Sequence, residues 1–282
     1  MQIGFNLLFW TSHIEEKDFH LLETLKKVGY DGVEVPIFEG DAAHYQKLGR
    51  ALADNGLAAT ALTVMPDTAH DITRADAKER QGGADHICWA IDNTRALGGK
   101  LLGGPIHQAL GHFTGQGRTA EEWERAVEVM RSCADYAADA GIGLSIEPLN
   151  RFECYFLNTI EDAAVFVEQV GKPNVGVLYD TFHTNIEEKH PVGALRQHLR
   201  RINHVHVSAN DRGTPGKDHI PWASMFSILK ENGYDGWLTI EAFGRELPEL
   251  AAATRVWRDL SPSREEVYSF GYDFVRRGWD NS

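Results

Sequence analysis

The sequence is poor in cysteine, short of positive charge and without a long apolar run, and each shortage excludes a class of protein. Its three cysteines, Cys88, Cys133 and Cys154, are widely spaced and form no CxxC. That excludes a fully paired disulfide framework, a zinc ribbon and a thiol redox motif. Cys133 falls in helical step with Trp123, Val127 and Met130, so it is expected to be a buried structural thiol. Lys and Arg number 28 against 41 Asp and Glu, a formal charge of −13. This balance opposes non-specific grip on nucleic acid, which needs a basic face. No apolar run reaches the roughly 18 residues of a membrane helix. The start, Met1-Gln2-Ile3-Gly4-Phe5, lacks the basic region of a signal peptide. The expectation is a cytoplasmic protein with neither a membrane nor a nucleic acid partner. Disorder is excluded as well, because 43% hydrophobic and 24% charged residues are near globular averages.

What is present is alternation. Short apolar runs, beginning near Ile3, Gly32, Ala59, Lys100, Gly143, Val175, Ile202 and Gly236, are separated by longer amphipathic stretches. Thr119-Ala120-Glu121-Glu122 and Ser263-Arg264-Glu265-Glu266 read as capping boxes that open helices. Helices are expected to stop at Gly29, Gly56, Gly98, Gly141 and Gly233. Gly29-Tyr30-Asp31-Gly32 recurs as Gly233-Tyr234-Asp235-Gly236, each time just before a strand. Eight βα units without a composition break predict an α/β protein, a single (β/α)8 TIM barrel over residues 1–282. An open doubly wound sheet would carry a glycine-rich phosphate turn after its first strand, and Phe9-Trp10-Thr11-Ser12-His13 is not one.

Strand parity then gathers a constellation. Side chains alternate between faces, so Glu147 falls inward with Gly143 and Ser145, and Asp180 with Gly176 and Leu178. His204 and His206 point inward on the next strand, and Glu241 on the last. Four consecutive strands thus end, at the rim where barrel active sites are built, in Glu147, Asp180, His206 and Glu241. Each alone reads as a capping or solvated residue. Together, three carboxylates would repel one another unless a cation lay among them. Three oxygens and one imidazole without a thiolate suit one Mn²⁺, Co²⁺ or Mg²⁺ per subunit, with Mn²⁺ foremost. His204, one layer deeper, is assigned to the barrel core. Glu34 is also inward but without an evident partner, and is left as a supporting or substrate contact. Trp10 and Phe243, at the ends of the first and eighth strands, are candidates for an apolar wall against a substrate; core packing is the alternative for both.

At this rim the sequence resembles a known family. Glu147-Pro148-Leu149-Asn150-Arg151-Phe152-Glu153 and Leu157-Asn158-Thr159 are similar to segments of the D-tagatose/D-allulose (psicose) 3-epimerases, which include L-ribulose 3-epimerases and belong to the xylose-isomerase-like barrels. So are Asp180–Glu188, the stretch from His206 through Arg212 to Pro215-Gly216-Lys217, and Val256-Trp257-Arg258-Asp259-Leu260. The resemblance implies metal ligation by Glu147, Asp180, His206 and Glu241, with Glu147 and Glu241 also the acid/base pair. It implies that Glu153, His183 and Arg212 hold the first carbons of a free ketose. Without it, those three read as a loop carboxylate, a helix-start cap and a solvated charge. Two departures bear on substrate preference. Ala209 stands where relatives carry a glutamate, and Pro105–Leu110 lacks the tryptophan that some relatives place over the substrate.

The implied reaction inverts C3 of a ketohexose or ketopentose such as D-tagatose, D-fructose/D-allulose or L-ribulose. One carboxylate removes the proton beside the ketone, an enediolate forms, and the second carboxylate returns a proton to the opposite face. An aldose–ketose or hydroxypyruvate-type isomerase would use the same site. A metal-dependent endonuclease of the same barrel type would need three metals and more histidines, and a sugar-binding sensor would not need both glutamates. A homodimer or homotetramer is expected, with the partly apolar Arg245–Leu260 segment a candidate to cover a partner.

Overall fold

A computed structural model describes all 282 residues, Met1–Ser282. Its strands are β1 (Gln2–Asn6), β2 (Gly32–Pro36), β3 (Ala58–Leu62), β4 (Leu101–Gly104), β5 (Gly143–Ile146), β6 (Val175–Asp180), β7 (Ile202–Val207) and β8 (Trp237–Ile240). All pair in parallel and in chain order, and β8 returns to β1 with Ile3 opposite Leu238, closing the barrel. Every anticipated strand is present, and none starts more than one residue from its expected position.

The helices are α1 (His20–Val28), α2 (Ala42–Asp54), α3 (Ala77–Leu97), α4 (Ala120–Ala140), α5 (Ile160–Val170), α6 (Thr181–Glu187), α7 (Pro191–His198), α8 (Trp222–Glu231), α9 (Pro248–Thr254) and α10 (Gly271–Asp280). None is long and apolar enough to cross a membrane. Cys133 is buried in α4, as its helical step predicts. Thr119 and Glu122 form a reciprocal capping box: Glu122 N–H donates to Thr119 Oγ1 at 3.2 Å and Thr119 N–H to the Glu122 carboxylate at 2.7 Å. The second box is only half formed. Ser263 Oγ accepts from Glu266 N–H at 3.1 Å, but Thr214 and Lys217 take the Glu266 carboxylate at 2.9 and 2.7 Å. The loop after β7 competes for that carboxylate and wins.

The repeated tetrapeptide performs one job twice. Gly29 and Gly233 take φ of 124° and 72°, and the following Tyr30 and Tyr234 N–H groups donate to Leu25 and Leu229 carbonyls at 3.2 and 2.9 Å. These turns deliver the chain into β2 and β8, the two neighbours of β1.

The core has two parts of different chemistry. Between strands and helices lie apolar side chains such as Val33, Val35, Leu144, Ile146, Val177, Val205, Leu238 and Ile240, all buried. Each contributes on the order of 1.5–3 kcal/mol of transfer free energy. Inside the barrel, beside Leu178, lie buried polar residues: Asn6, Glu34, Thr60, Ser145, His204, His206 and Thr239. A bulge sets their register. Val177 pairs with Ile202 but Leu178 pairs with His204, so Asn203 is the extra residue. Its amide fills the space left by Gly176, accepts from Ser145 Oγ at 2.6 Å and donates to the Leu144 carbonyl at 2.9 Å. Past the bulge, His204 pairs with Leu178 and His206 with Asp180.

Candidate active site

Short strands deliver the four rim residues to one point. Glu147 follows β5 directly, its N–H on the Gly104 carbonyl at 3.1 Å and its carbonyl accepting from His107 Nε2 at 2.9 Å. Asp180 ends β6 and caps α6, where Oδ1 accepts from the N–H groups of Phe182 and His183 at 2.6 and 3.4 Å. Oδ2 is left to face the cluster. Glu241 follows β8, its N–H on the Val207 carbonyl at 3.3 Å.

The ligand atoms of Glu147, Asp180, His206 and Glu241 all lie within 4.8 Å of one another, and all four residues are buried. His206 Nδ1 stands 3.7 Å from Glu147 Oε1, 3.6 Å from Asp180 Oδ2 and 3.4 Å from Glu241 Oε1. It has no hydrogen-bond partner. Ligand bonds of about 2.0–2.3 Å to one ion put neighbouring donor atoms roughly 3–3.7 Å apart. The spacing therefore fits a shared cation. A second group, Glu34 with His204 and His206, is spaced differently: 2.7 Å from Oε1 to His204 Nε2 and 2.8 Å from Oε2 to His206 Nε2. The first is a charge-assisted hydrogen bond and the second a close ionic contact, and their lengths leave no room for an ion. Glu34 thus has the partners that its sequence position did not reveal.

Electrostatics agree with a site built for positive charge. Burial, with the neighbouring Glu241 and Asp180 carboxylates, drives the Glu147 carboxyl well above its ordinary range, although His206 and Arg212 oppose this. Burial acts on Asp180 in the same direction, but the Arg212 guanidinium, His206 and His183 overcome it and hold Asp180 well below the usual range. Arg212 Nη1 donates to Asp180 Oδ2 at 2.8 Å, to Ser208 Oγ at 3.0 Å and to Glu241 Oε2. Its backbone takes a φ of 67°, a strained choice for a non-glycine residue. Its guanidinium is stacked over Phe182 and Phe243, 4.1 and 4.9 Å from the ring centres.

His183 and Glu153 complete the rim. The His183 ring is pushed down to about 4 by burial, so it is neutral. Its Nδ1 accepts the Asn150 backbone N–H at 3.1 Å. Its Nε2 stands 2.9 Å from Arg212 Nη2 and 3.7 Å from Glu147 Oε1. Asn150 Nδ2 also donates to Glu153 Oε1 at 2.7 Å. Above lies a cavity of about 720 Å³. Its floor includes Glu147, Glu153, His183, Arg212 and Glu241, and its upper wall is largely apolar, with Phe38, Leu62, Phe243, Leu247 and Leu250 beside Ser12, Glu39, Glu249 and Thr254.

Residues 22–263 match the family described as a xylose isomerase-like TIM barrel. The ketose 3-epimerase of Arthrobacter globiformis is 30% identical over 279 residues, covering 98% of this chain and 96% of its own. The D-psicose 3-epimerase of Agrobacterium fabrum is 32% identical over 265 residues, 93% of this chain and 91% of its own. This chain belongs to the ketose 3-epimerases. Among solved structures, an L-ribulose 3-epimerase superposes with a TM-score of 0.91 at 28% identity, covering 99% and 95% of the two chains. The protein is therefore an epimerase of carbohydrate, and its buried Glu/Asp/His cluster can hold a metal ion.

Within the 3-epimerase barrel, seven of the nine residues singled out in the sequence converge at this cluster or line its floor, and Phe243 lines the cavity wall. Trp10 does not line it. Its ring packs instead on Phe5, Phe9 and Tyr268, with centroids 4.8, 5.1 and 5.9 Å apart, because the chain turns through a short helical segment after β1. Ala209 is fully buried behind the rim, and His107, in the fourth βα loop, points at the Glu147 backbone rather than over the cavity. The Arg245–Leu260 segment sends Leu247, Pro248 and Leu250 into the cavity mouth and leaves Trp257 exposed. Asn6 was not anticipated, although alternation from Gln2 and Gly4 puts it inward at the end of β1. Asn150 stands inside the Glu147–Glu153 motif, and its role depends on a turn that no periodicity marks.

Proposed function

We propose that this protein inverts C3 of free ketoses at one divalent ion held by Glu147, Asp180, His206 and Glu241, and that Glu147 and Glu241 exchange the proton. The observation that carries the reading is His206 Nδ1, buried and unpartnered among three carboxylate oxygens. When bound, the divalent ion supplies Lewis-acid polarisation of the ketone and stabilises the charge that develops on its oxygen.

The chain's own residues do the rest. Glu147 and Glu241 follow β5 and β8, which are not neighbours in the ring, so they address a substrate from different sides. One removes the C3 proton while the other returns a proton to the opposite face, and the roles reverse with direction. His183 and Arg212, in contact through Nε2 and Nη2 at 2.9 Å, line the cavity floor together and are placed to hold the oxygens of the first sugar carbons. Glu153, held by Asn150, accepts from a neighbouring hydroxyl. The largely apolar upper wall offers few hydrogen bonds to C4–C6, so hexuloses and pentuloses of several configurations fit, D-tagatose, D-fructose/D-allulose and L-ribulose among them. We further propose that the whole chain acts as one barrel unit in a homodimer or homotetramer, and that Mn²⁺ serves best.

The test is chelation, reloading with Mn²⁺, Co²⁺ or Mg²⁺, and chromatography of products from a ketose panel. Chelated protein should be inert, and reloaded protein should convert a ketose to its C3 epimer. An aldose product, or full activity in protein shown to be metal-free, contradicts the reading.

A further inference from the structure

Beneath the four-residue cluster lies a sealed polar layer that the chemistry above leaves without a task. Glu34 on β2 reaches across the barrel to β7, with Oε1 2.7 Å from His204 Nε2 and Oε2 2.8 Å from His206 Nε2. Asn6 Nδ2 donates to the same Glu34 Oε2 at 2.9 Å and to Glu241 Oε1 at 3.0 Å. The Asn6 amide cannot turn over freely, because its Oδ1 accepts the Leu8 N–H at 2.9 Å. Glu34, His204 and His206 have no exposed surface, and Asn6 has almost none.

Proton placement follows from this arrangement. A carboxylate accepts and does not donate, so both imidazoles must present N–H at Nε2. To ligate an ion His206 must be neutral, and with its one proton on Nε2 it then presents Nδ1 as a bare lone pair. That lone pair faces Glu147, Asp180 and Glu241 at 3.4–3.7 Å.

We propose that Glu34 is a positioning residue: it pins the His206 proton to Nε2 so that Nδ1 faces the cluster as a ligand, and through Asn6 it fixes the Glu241 carboxylate. The inference rests on the metal reading above and adds a residue outside the ligand set. Partners that orient a metal-bound imidazole in this way are worth about 10–100-fold in metal affinity. Glu34 also couples one ligand to the proposed base, since a single Asn6 amide group bonds both carboxylates.

The experiment measures Mn²⁺ binding by electron paramagnetic resonance of the free ion, with wild type, E34L, E34Q and E147Q in parallel. Leucine keeps the bulk of Glu34 and removes its acceptors, so E34L should bind Mn²⁺ about 10–100-fold more weakly. In E34Q the amide oxygen can still accept from Asn6 and His206, so its loss should be smaller. E147Q, a ligand change, tests the metal reading itself. If E147Q binds weakly while both Glu34 variants bind as wild type does, the role of Glu34 is refuted and the metal site stands. Wild type that takes up no ion overturns the metal reading and this inference with it. Folding of the variants is bypassed by a measurement on wild type. In the Mg²⁺-loaded protein, long-range ¹H–¹⁵N correlation should find the His204 and His206 protons on Nε2, and a proton on Nδ1 of either ring refutes the assignment.

Discussion

His107 carries its influence in one proton. It is fully buried, its Nε2–H donates to the Glu147 carbonyl at 2.9 Å, and its Nδ1 meets no partner. A second proton would be an uncompensated buried charge, and burial lowers this ring from 6.5 to about 4, the Glu147 carbonyl opposing only in part. Between pH 6.5 and 4 the unfolded chain therefore takes up a proton that the folded chain refuses. Its contribution to stability is whole above about pH 6.5 and is lost as pH falls towards 4. Urea midpoints should drop across this window, and His107→Gln should shrink the drop; equal pH slopes in both proteins would contradict the assignment. The sequence made such residues legible only where alternation reached them. Glu147, Asp180, His206 and Glu241 could be gathered because each lies within one residue of a strand's C-terminal end, whereas His107 and Asn150 sit in loops whose turns carry no period. Trp10 takes its core-packing alternative for the same reason, since alternation stops where β1 gives way to a helical turn.

At the scale of the element, strand order and strand starts were readable because parallel barrel strands are short apolar runs between helices. The bulge was not. Alternation from Val205 would turn Asn203 outward, yet the extra residue shares the interior with Ser145 and fills the gap above Gly176. That packing makes a direct prediction. A Cβ added at Gly176 comes within 2.3 Å of the Asn203 side chain, so Gly176→Ala should cost roughly 1–3 kcal/mol in urea unfolding. Adding Asn203→Ala should cost less than the sum of the two single changes, because they share one space. Strict additivity would show that the bulge and the glycine are independent. The half-formed box at Ser263 follows a similar logic, with Thr214 and Lys217 outcompeting a local cap from 49 or more residues away in sequence.

The whole molecule divides its labour by depth. Apolar residues between strands and helices hold the barrel closed, the polar layer of Asn6, Glu34 and His204 supports the floor, and the rim carries three carboxylates and an imidazole beneath a cavity of about 720 Å³. Nothing in this order depends on the acidic surface, which makes the net charge of −13 a statement about partners rather than chemistry. The central claim, proton exchange at C3 between Glu147 and Glu241, is tested most directly by turnover of a ketose in D₂O over many cycles, with the label located by NMR. Deuterium should accumulate at C3 of substrate and product while the C1 protons stay unexchanged. Deuterium at C1 with an aldose product, or extensive epimerisation that never labels C3, would contradict it.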